Sequence, residues 1–303
     1  MKRYNDLNNY LKSIFGCRVQ KISIDAGFSC PNRDGTIGAR GCIYCNDRGS
    51  GTGAHLKGLS VTEQLILGKN ALSRRYKAKK FIAYFQAFSN TYAPVDQLKS
   101  LYDEALAVDD MVGLSIGTRP DCINESVLDL IQTYAEKCLV WIEYGLQSAH
   151  DSTLELINRG HDFNCFKKAV DATRNREIKI CAHVILGLPY EEKKDILQTA
   201  KIVADMGIDA IKIHLLYVIK GTKLDELYIS GQYSCLEQQE YVDLVCDFLE
   251  RIPENMVIQR LTGDPLPEEL IAPMWSLDKS KTLNRIKETL EKRDSWQGKF
   301  VDN

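Results

Sequence analysis

The 303-residue sequence has no uncharged apolar run near the roughly 18 residues that a membrane-spanning helix needs, so none is expected. Nor has it a surplus of one charge. Its 39 Lys and Arg face 41 Asp and Glu, which leaves no electrostatic footprint of general nucleic-acid or membrane-surface binding. No repeat, low-complexity tract or Gly/Ser-rich linker divides the chain. The N-terminal stretch MKRYNDLNNYLKSIF breaks its apolar residues with Asn and Asp, unlike the continuous core of a secretory signal. With 44% apolar and 26% charged residues, the chain reads as an ordinary folded, cytoplasmic protein.

Cysteine is not scarce. There are ten, and in a reducing compartment each serves as a small buried hydrophobe, a nucleophile or a metal ligand. Seven of them (Cys17, Cys122, Cys138, Cys165, Cys181, Cys235 and Cys246) stand singly in regular segments and read as core. The other three share one stretch, Cys30-Pro-Asn-Arg-Asp-Gly-Thr-Ile-Gly-Ala-Arg-Gly-Cys42-Ile-Tyr-Cys45.

Apolar runs at 18–25, 79–86, 111–118, 138–145, 178–187 and 209–218 predict strands. Several are apolar at nearly every position, which suits parallel strands covered on both faces. Helical periods fill 60–76, 95–107, 124–136, 151–175 and 191–206, with cap signals at Ser60 and Glu63, Asp96 and Asn124. Six alternations predict a parallel α/β fold, rolled or open. After about residue 219 the alternation fails. A helix near 235–251, a short strand at 256–261, a Pro-punctuated loop and a charged helix at 278–293 are expected to pack on the first domain.

The three-cysteine loop directly follows the first predicted strand. Three thiolates leave a structural zinc site one ligand short unless His55 joins, whereas a 4Fe–4S cluster can keep one iron open. Redox or core thiols are the third alternative. The loop GSGTGA (49–54) lacks the Lys-Ser/Thr ending of a phosphate-binding loop and reads as a flexible cover.

In this β/α context the loop resembles the radical S-adenosylmethionine (SAM) superfamily. Its Cys-x11-Cys-x2-Cys spacing is that of the branch holding the Elongator catalytic subunit and the YhcC-like proteins. SIGTRPD (115–121), WIEYGLQSAHDSTLELINRGHD (141–162), HVILGLPYE (183–191), RLTGDP (260–265) and WQG (296–298) carry the same likeness along the chain. The resemblance implies a partial (β/α)6 barrel of parallel strands over 1–218 and a C-terminal α+β extension over 219–303.

It also implies a 4Fe–4S cluster on Cys30, Cys42 and Cys45, and SAM as second cofactor. A reduced cluster of this kind cleaves SAM to methionine and a 5′-deoxyadenosyl radical, so a flavodoxin- or ferredoxin-type reductant is expected as partner. The residues matched to the SAM site are Tyr44, Gln86, Ser115, Thr118, Glu143, Gln147, Arg159 and Gly187. Gln86 ends AYFQ, where the superfamily usually has a Gly-Gly-Glu stretch. A buried pair with Lys or Arg is the alternative for Glu143. For substrate contact the candidates are His183, His214, Arg260 and Asp264, with a small 7-deazaguanine base as expected substrate. The activity expected is cleavage of queuine to 7-aminomethyl-7-deazaguanine. Modification of transfer RNA is the alternative, which composition does not support, and a non-catalytic zinc protein is the alternative of another class.

Overall fold

The computed structural model describes residues 2–49, 51 and 53–301. Six strands, β1 (Val19–Ile24), β2 (Lys80–Phe85), β3 (Met111–Thr118), β4 (Leu139–Gln147), β5 (Lys179–Leu186) and β6 (Ala210–Leu215), pair in parallel and in chain order. Between them run α2 (Val61–Tyr76), α3 (Val95–Leu106), α4 (Glu125–Ala135), α5 (Asp151–Leu156), α6 (Phe163–Thr173) and α7 (Lys193–Asp205). The Ser60–Glu63 capping box starts α2, and the Asn124 side chain accepts from the Val127 amide at the start of α4. The sheet curls into a half-barrel, as expected.

Two expected elements divide. The helix expected over 151–175 breaks after Leu156, where Asn158 (φ 53°) and Gly160 (φ 78°) adopt left-handed backbone before Asp162 caps α6. The strand expected over 209–218 ends at Leu215. A separate piece, β7 (Val218–Ile219), pairs antiparallel with β9 (Leu270–Ala272) in a small second sheet.

The extension is more than a cap. Its strand β8 (Val257–Arg260) pairs in parallel with β6, so the main sheet has seven strands rather than six. Its helices α8 (Lys223–Ile229), α9 (Gln238–Leu249) and α10 (Lys279–Lys292) follow or flank this strand. Val242, Val245, Phe248, Ile286 and Leu290 share one apolar core with Ile142, Val184 and Ile213 of the strands. Each such fully buried side chain contributes about 1.5–3 kcal/mol.

Period-two alternation gives every strand a second, barrel-facing row. At its N-terminal end this row is apolar: Trp141, Cys181, Ala210 and Val257 form one cluster, Val19 and Ile82 another. Helix α1 (Leu7–Phe15) closes that end with Leu7, Tyr10 and Leu11, and the Tyr10 ring stands edge-on to Trp141 at 5.7 Å. Above this floor the row turns polar.

Candidate active site

The cysteine loop leaves the C-terminal end of β1 and is pinned to the break between α5 and α6. Asn158 Nδ2 donates to the Gly41 carbonyl at 2.6 Å, Asn32 Nδ2 donates back to the Asn158 carbonyl at 2.7 Å, and the Ile43 amide donates to Ile157 O at 3.1 Å. Cys42 is buried, while Cys30 and Cys45 are half-buried. Burial, and then the neighbouring Cys42, push the Cys45 thiol up to about 12. Such thiols stay protonated until a metal displaces the proton.

The same break delivers Arg159. Its guanidinium is buried, donating from Nη2 to the Gly145 carbonyl at 2.6 Å and lying with Nη1 3.7 Å from Cys42 Sγ. A Cβ on Gly145 would fall 2.6 Å from Nη2, so this strand end needs glycine for the arginine to lie against it. Burial works against the Arg159 charge, but Cys42 and Tyr44 outweigh it and raise the pKa. The Tyr44 hydroxyl is buried there without a hydrogen-bond partner. Gln147 at the end of β4 has φ 79°, and Gly187 after β5 has φ 87° with its carbonyl accepting from Tyr233 Oη at 2.9 Å. Backbone held in sparsely populated conformations clusters at functional sites. Gln86 follows the end of β2, its amide donating to Ile24 O at 3.2 Å.

A multi-iron cluster spreads its ligands over several metals, and a thiol trio with a neighbouring guanidinium and an unpartnered buried hydroxyl fits that group with its SAM. Among the described residues, no three His, Cys, Asp or Glu side chains are gathered closely enough to hold one metal ion. His55, the fourth ligand of the zinc alternative, instead lies against Gly27, where a Cβ would fall 2.4 Å from the ring. Ser50 and Thr52 of the loop expected to cover the cluster lie outside the described residues.

Several matched residues are engaged elsewhere. Thr118 Oγ1 is held in a buried hydroxyl cluster with Ser89 Oγ at 2.9 Å and Thr91 Oγ1 at 2.6 Å. Arg119 forms a fork with Asp121 and donates to the Arg159 carbonyl at 2.8 Å, which steadies the arginine above. Ser115 and Glu143, expected at the SAM site, lie deeper in the barrel. Glu143 Oε1 accepts from Lys21 Nζ at 2.5 Å and from Ser115; Oε2 accepts from Lys212 and stands 2.8 Å from His183 Nε2. The alternative of a buried ion pair is what the structure shows.

Lys21, Tyr84, Lys212 and Gln259 of this layer were missed in the sequence, where the clearest signal was Lys212 between Ile211 and Ile213 within a strand. Lys212 Nζ lies 4.0 Å from the Tyr84 ring centroid, and Lys21 Nζ donates to Gln259 Oε1 at 2.6 Å. Burial alone would raise the Glu143 pKa, but the two lysines overcome it and hold the carboxyl well below its usual range. Burial pulls Lys212 down to about 8, Glu143 working against it. His183 falls to about 4 for the same reason, and His214, with its ring 5.1 Å away, is also lowered. Both candidate histidines therefore do meet in the interior, and Arg260 lines it. Asp264 does not. Its carboxylate is exposed and pairs with Lys279 at 3.1 Å, because the loop after β8 carries it outward. Arg260 and Asp264 make no pair with each other.

A half-barrel with three loop thiols at its strand ends defines a radical SAM protein, and the chain belongs to the radical SAM superfamily. The superfamily model matches residues 34–203, and a radical SAM C-terminal domain model matches 208–292. The chain is 46% identical to the uncharacterized protein YtqA of Bacillus subtilis over 99% of its length and 93% of that protein. It is 39% identical to the protein YhcC of Escherichia coli over 90% and 88%. Human Elongator complex protein 3 shares 29% over 52% of this chain and 29% of its own. In structure, the archaeal Elp3 of Methanocaldococcus infernus superposes with a TM-score of 0.72 at 16% identity, covering 92% of this chain and 64% of that one. The chain is thus a YhcC-like radical SAM protein, and the family's cofactors are a 4Fe–4S cluster and SAM. Among the described residues no helix is long and apolar enough to cross a membrane.

Proposed function

We propose that this radical SAM enzyme acts on a small heterocyclic substrate held inside the half-barrel, and that the reaction is cleavage of queuine to 7-aminomethyl-7-deazaguanine. Cluster and SAM, when bound, supply a 5′-deoxyadenosyl radical. Cys30, Cys42 and Cys45 would hold the cluster, and Arg159 would hold the SAM carboxylate by its guanidinium fork. The observation that supports a small substrate is the interior itself. It offers a cavity of about 380 Å³ lined by Lys21, Tyr84 and Gln259, at the lower end of the size range of small-molecule sites. The apolar floor packed on α1 closes the N-terminal end of the barrel beneath the chamber.

The likeness to Elongator complex protein 3 favours modification of transfer RNA as the second reading. One experiment separates them. Anaerobic protein is incubated with SAM and dithionite, and either free queuine or bulk transfer RNA, and the products are read by mass spectrometry. Release of 7-aminomethyl-7-deazaguanine is expected. Altered nucleosides in the RNA, with queuine untouched, would replace the first reading by the second. Flavodoxin or ferredoxin is proposed as the physiological reductant, to be checked by its support of SAM cleavage in place of dithionite.

A further inference from the structure

The edge strands β1 and β8 do not pair with each other. The gap between them opens on the cavity of about 380 Å³, which runs from Tyr4 and Lys279 at its mouth inward to Lys21 and Lys212. Strand β8 is bulged there. Ile258 pairs with Ile211 and Arg260 with Lys212, which leaves Gln259 without a partner in the register. An extra residue of this kind lets two consecutive side chains face the same side. Gln259 does so by accepting from Lys21, and Arg260 by standing in register with the inward-facing Lys212.

The charges in this chamber do not balance. Lys21, Lys212 and Arg260 face one carboxylate, Glu143, and both lysines already share it. Among the described residues the Arg260 side chain makes no hydrogen bond or ion pair. Gln259 Nε2 and His214 Nε2 are buried without partners as well. The acidic groups near the mouth are committed elsewhere: Asp6 caps α1 and pairs with Lys2, and Asp264 pairs with Lys279. What remains is a guanidinium and an amide donor lining the cavity, with a histidine deeper in the barrel, and no carboxylate paired with any of them.

We infer that the chamber binds an oxyanion, a phosphate or carboxylate group carried by a ligand other than queuine, which has neither, and that this ligand reaches it through the β1–β8 gap. Arg260 is its principal contact, and Gln259 supplies a neutral hydrogen bond. A charge-assisted fork of this kind is the strong way to hold such a group. The inference rests on the reading of the barrel interior as the substrate chamber, and not on queuine being the substrate.

The test needs no turnover. Anaerobic cluster-loaded enzyme is titrated calorimetrically with inorganic phosphate and, separately, with acetate, at constant ionic strength. One of the two is expected to bind saturably at one site, with at least a tenfold loss of affinity in Arg260→Gln and none in the surface variant Lys12→Gln. Preference for phosphate marks a phosphorylated ligand, and preference for acetate a carboxylic acid. Should Arg260→Gln fail to fold, phenylglyoxal labelling of the unaltered enzyme replaces it. The peptide carrying Arg260 should be protected by the bound anion. Absence of saturable binding by either anion overturns the inference, as does binding that neither the variant nor the labelling connects to Arg260. Failure to cleave queuine alongside saturable anion binding would instead discard the queuine reading alone.

Discussion

The strand-end site and the barrel interior lie in one half-barrel but are built in opposite ways. At the strand ends, three thiols come from a single loop, and the arginine beside them comes from one break between two helices. In the interior, Lys21, Ser115, Glu143, His183, Lys212 and Gln259 come singly from six different strands. The first is a local construction whose chemistry survives as a motif. The second is an electrostatic balance that exists only once the sheet is rolled. Removing one part should therefore silence the first and unfold the second.

The largest effect belongs to the loop. Cys42→Ala should abolish the cluster and with it all radical chemistry, because an iron that loses a thiolate ligand has no replacement in this loop. Iron and sulfide analysis and the absorbance near 400 nm measure this directly. Cys181→Ala, in the apolar floor with Trp141 and Ala210, should keep full iron content. A normal cluster in Cys42→Ala would remove the contrast between the two regions altogether.

Next comes Glu143→Gln. The amide keeps the shape but leaves Lys21 and Lys212 facing each other in a buried layer without a counter-charge. Breaking a buried pair in this way costs about 3–5 kcal/mol, to be read from the urea midpoint. Lys212→Met in the same chain should recover part of the loss. A midpoint unchanged in Glu143→Gln would mean that the interior is solvated rather than balanced.

How much of this was legible in the sequence follows the same division. Cys30, Cys42 and Cys45 announce themselves because a ligand set within one loop must be close in sequence. Alternating apolar runs gave six strands, because parallel strands buried on both faces have no other composition to draw on. By its sequence strand β8 is a short strand of the extension, since nothing local says which edge four residues will join. Glu143 was visible as a costly mid-strand carboxylate, but its partners Lys21 and Lys212 lie 122 and 69 positions away and are ordinary residues in their own segments. The outward turn of Asp264 was hidden for a related reason: a Gly-Asp-Pro loop fixes a bend but not its direction.

A smaller effect follows from pH. The folded-state pKa of His183, about 4, lies below its ordinary value of 6.5, since burial disfavours the imidazolium. The unfolded chain thus takes up a proton that the folded chain refuses. This contribution is fully present above pH 6.5 and is lost as pH falls toward 4, by at most about 3 kcal/mol. Glu143, also depressed, adds a further loss at lower pH. Anaerobic denaturant unfolding between pH 7 and 4 should show this slope, and His183→Gln should flatten it. An identical slope in the variant would assign the acid sensitivity to other groups.

The smallest effect sharpens the comparison by its absence. Asp264 stands only four residues beyond Arg260, yet its side chain is 63% exposed and that of its partner Lys279 is 40% exposed. An exposed pair gains little Coulomb energy in water and gives up side-chain freedom to hold its geometry, so it is worth about 0.2–1 kcal/mol. Asp264→Ala should therefore change the urea midpoint by no more than that, and less at high salt, where screening has already weakened the pair. Phosphate or acetate binding at Arg260 should be as strong as in the parent, because the carboxylate pairs with Lys279 rather than with the guanidinium. A large loss of stability or of anion affinity in Asp264→Ala would place this loop inside the electrostatic balance of the barrel, and the boundary drawn here between mouth and chamber would have to move outward to include it.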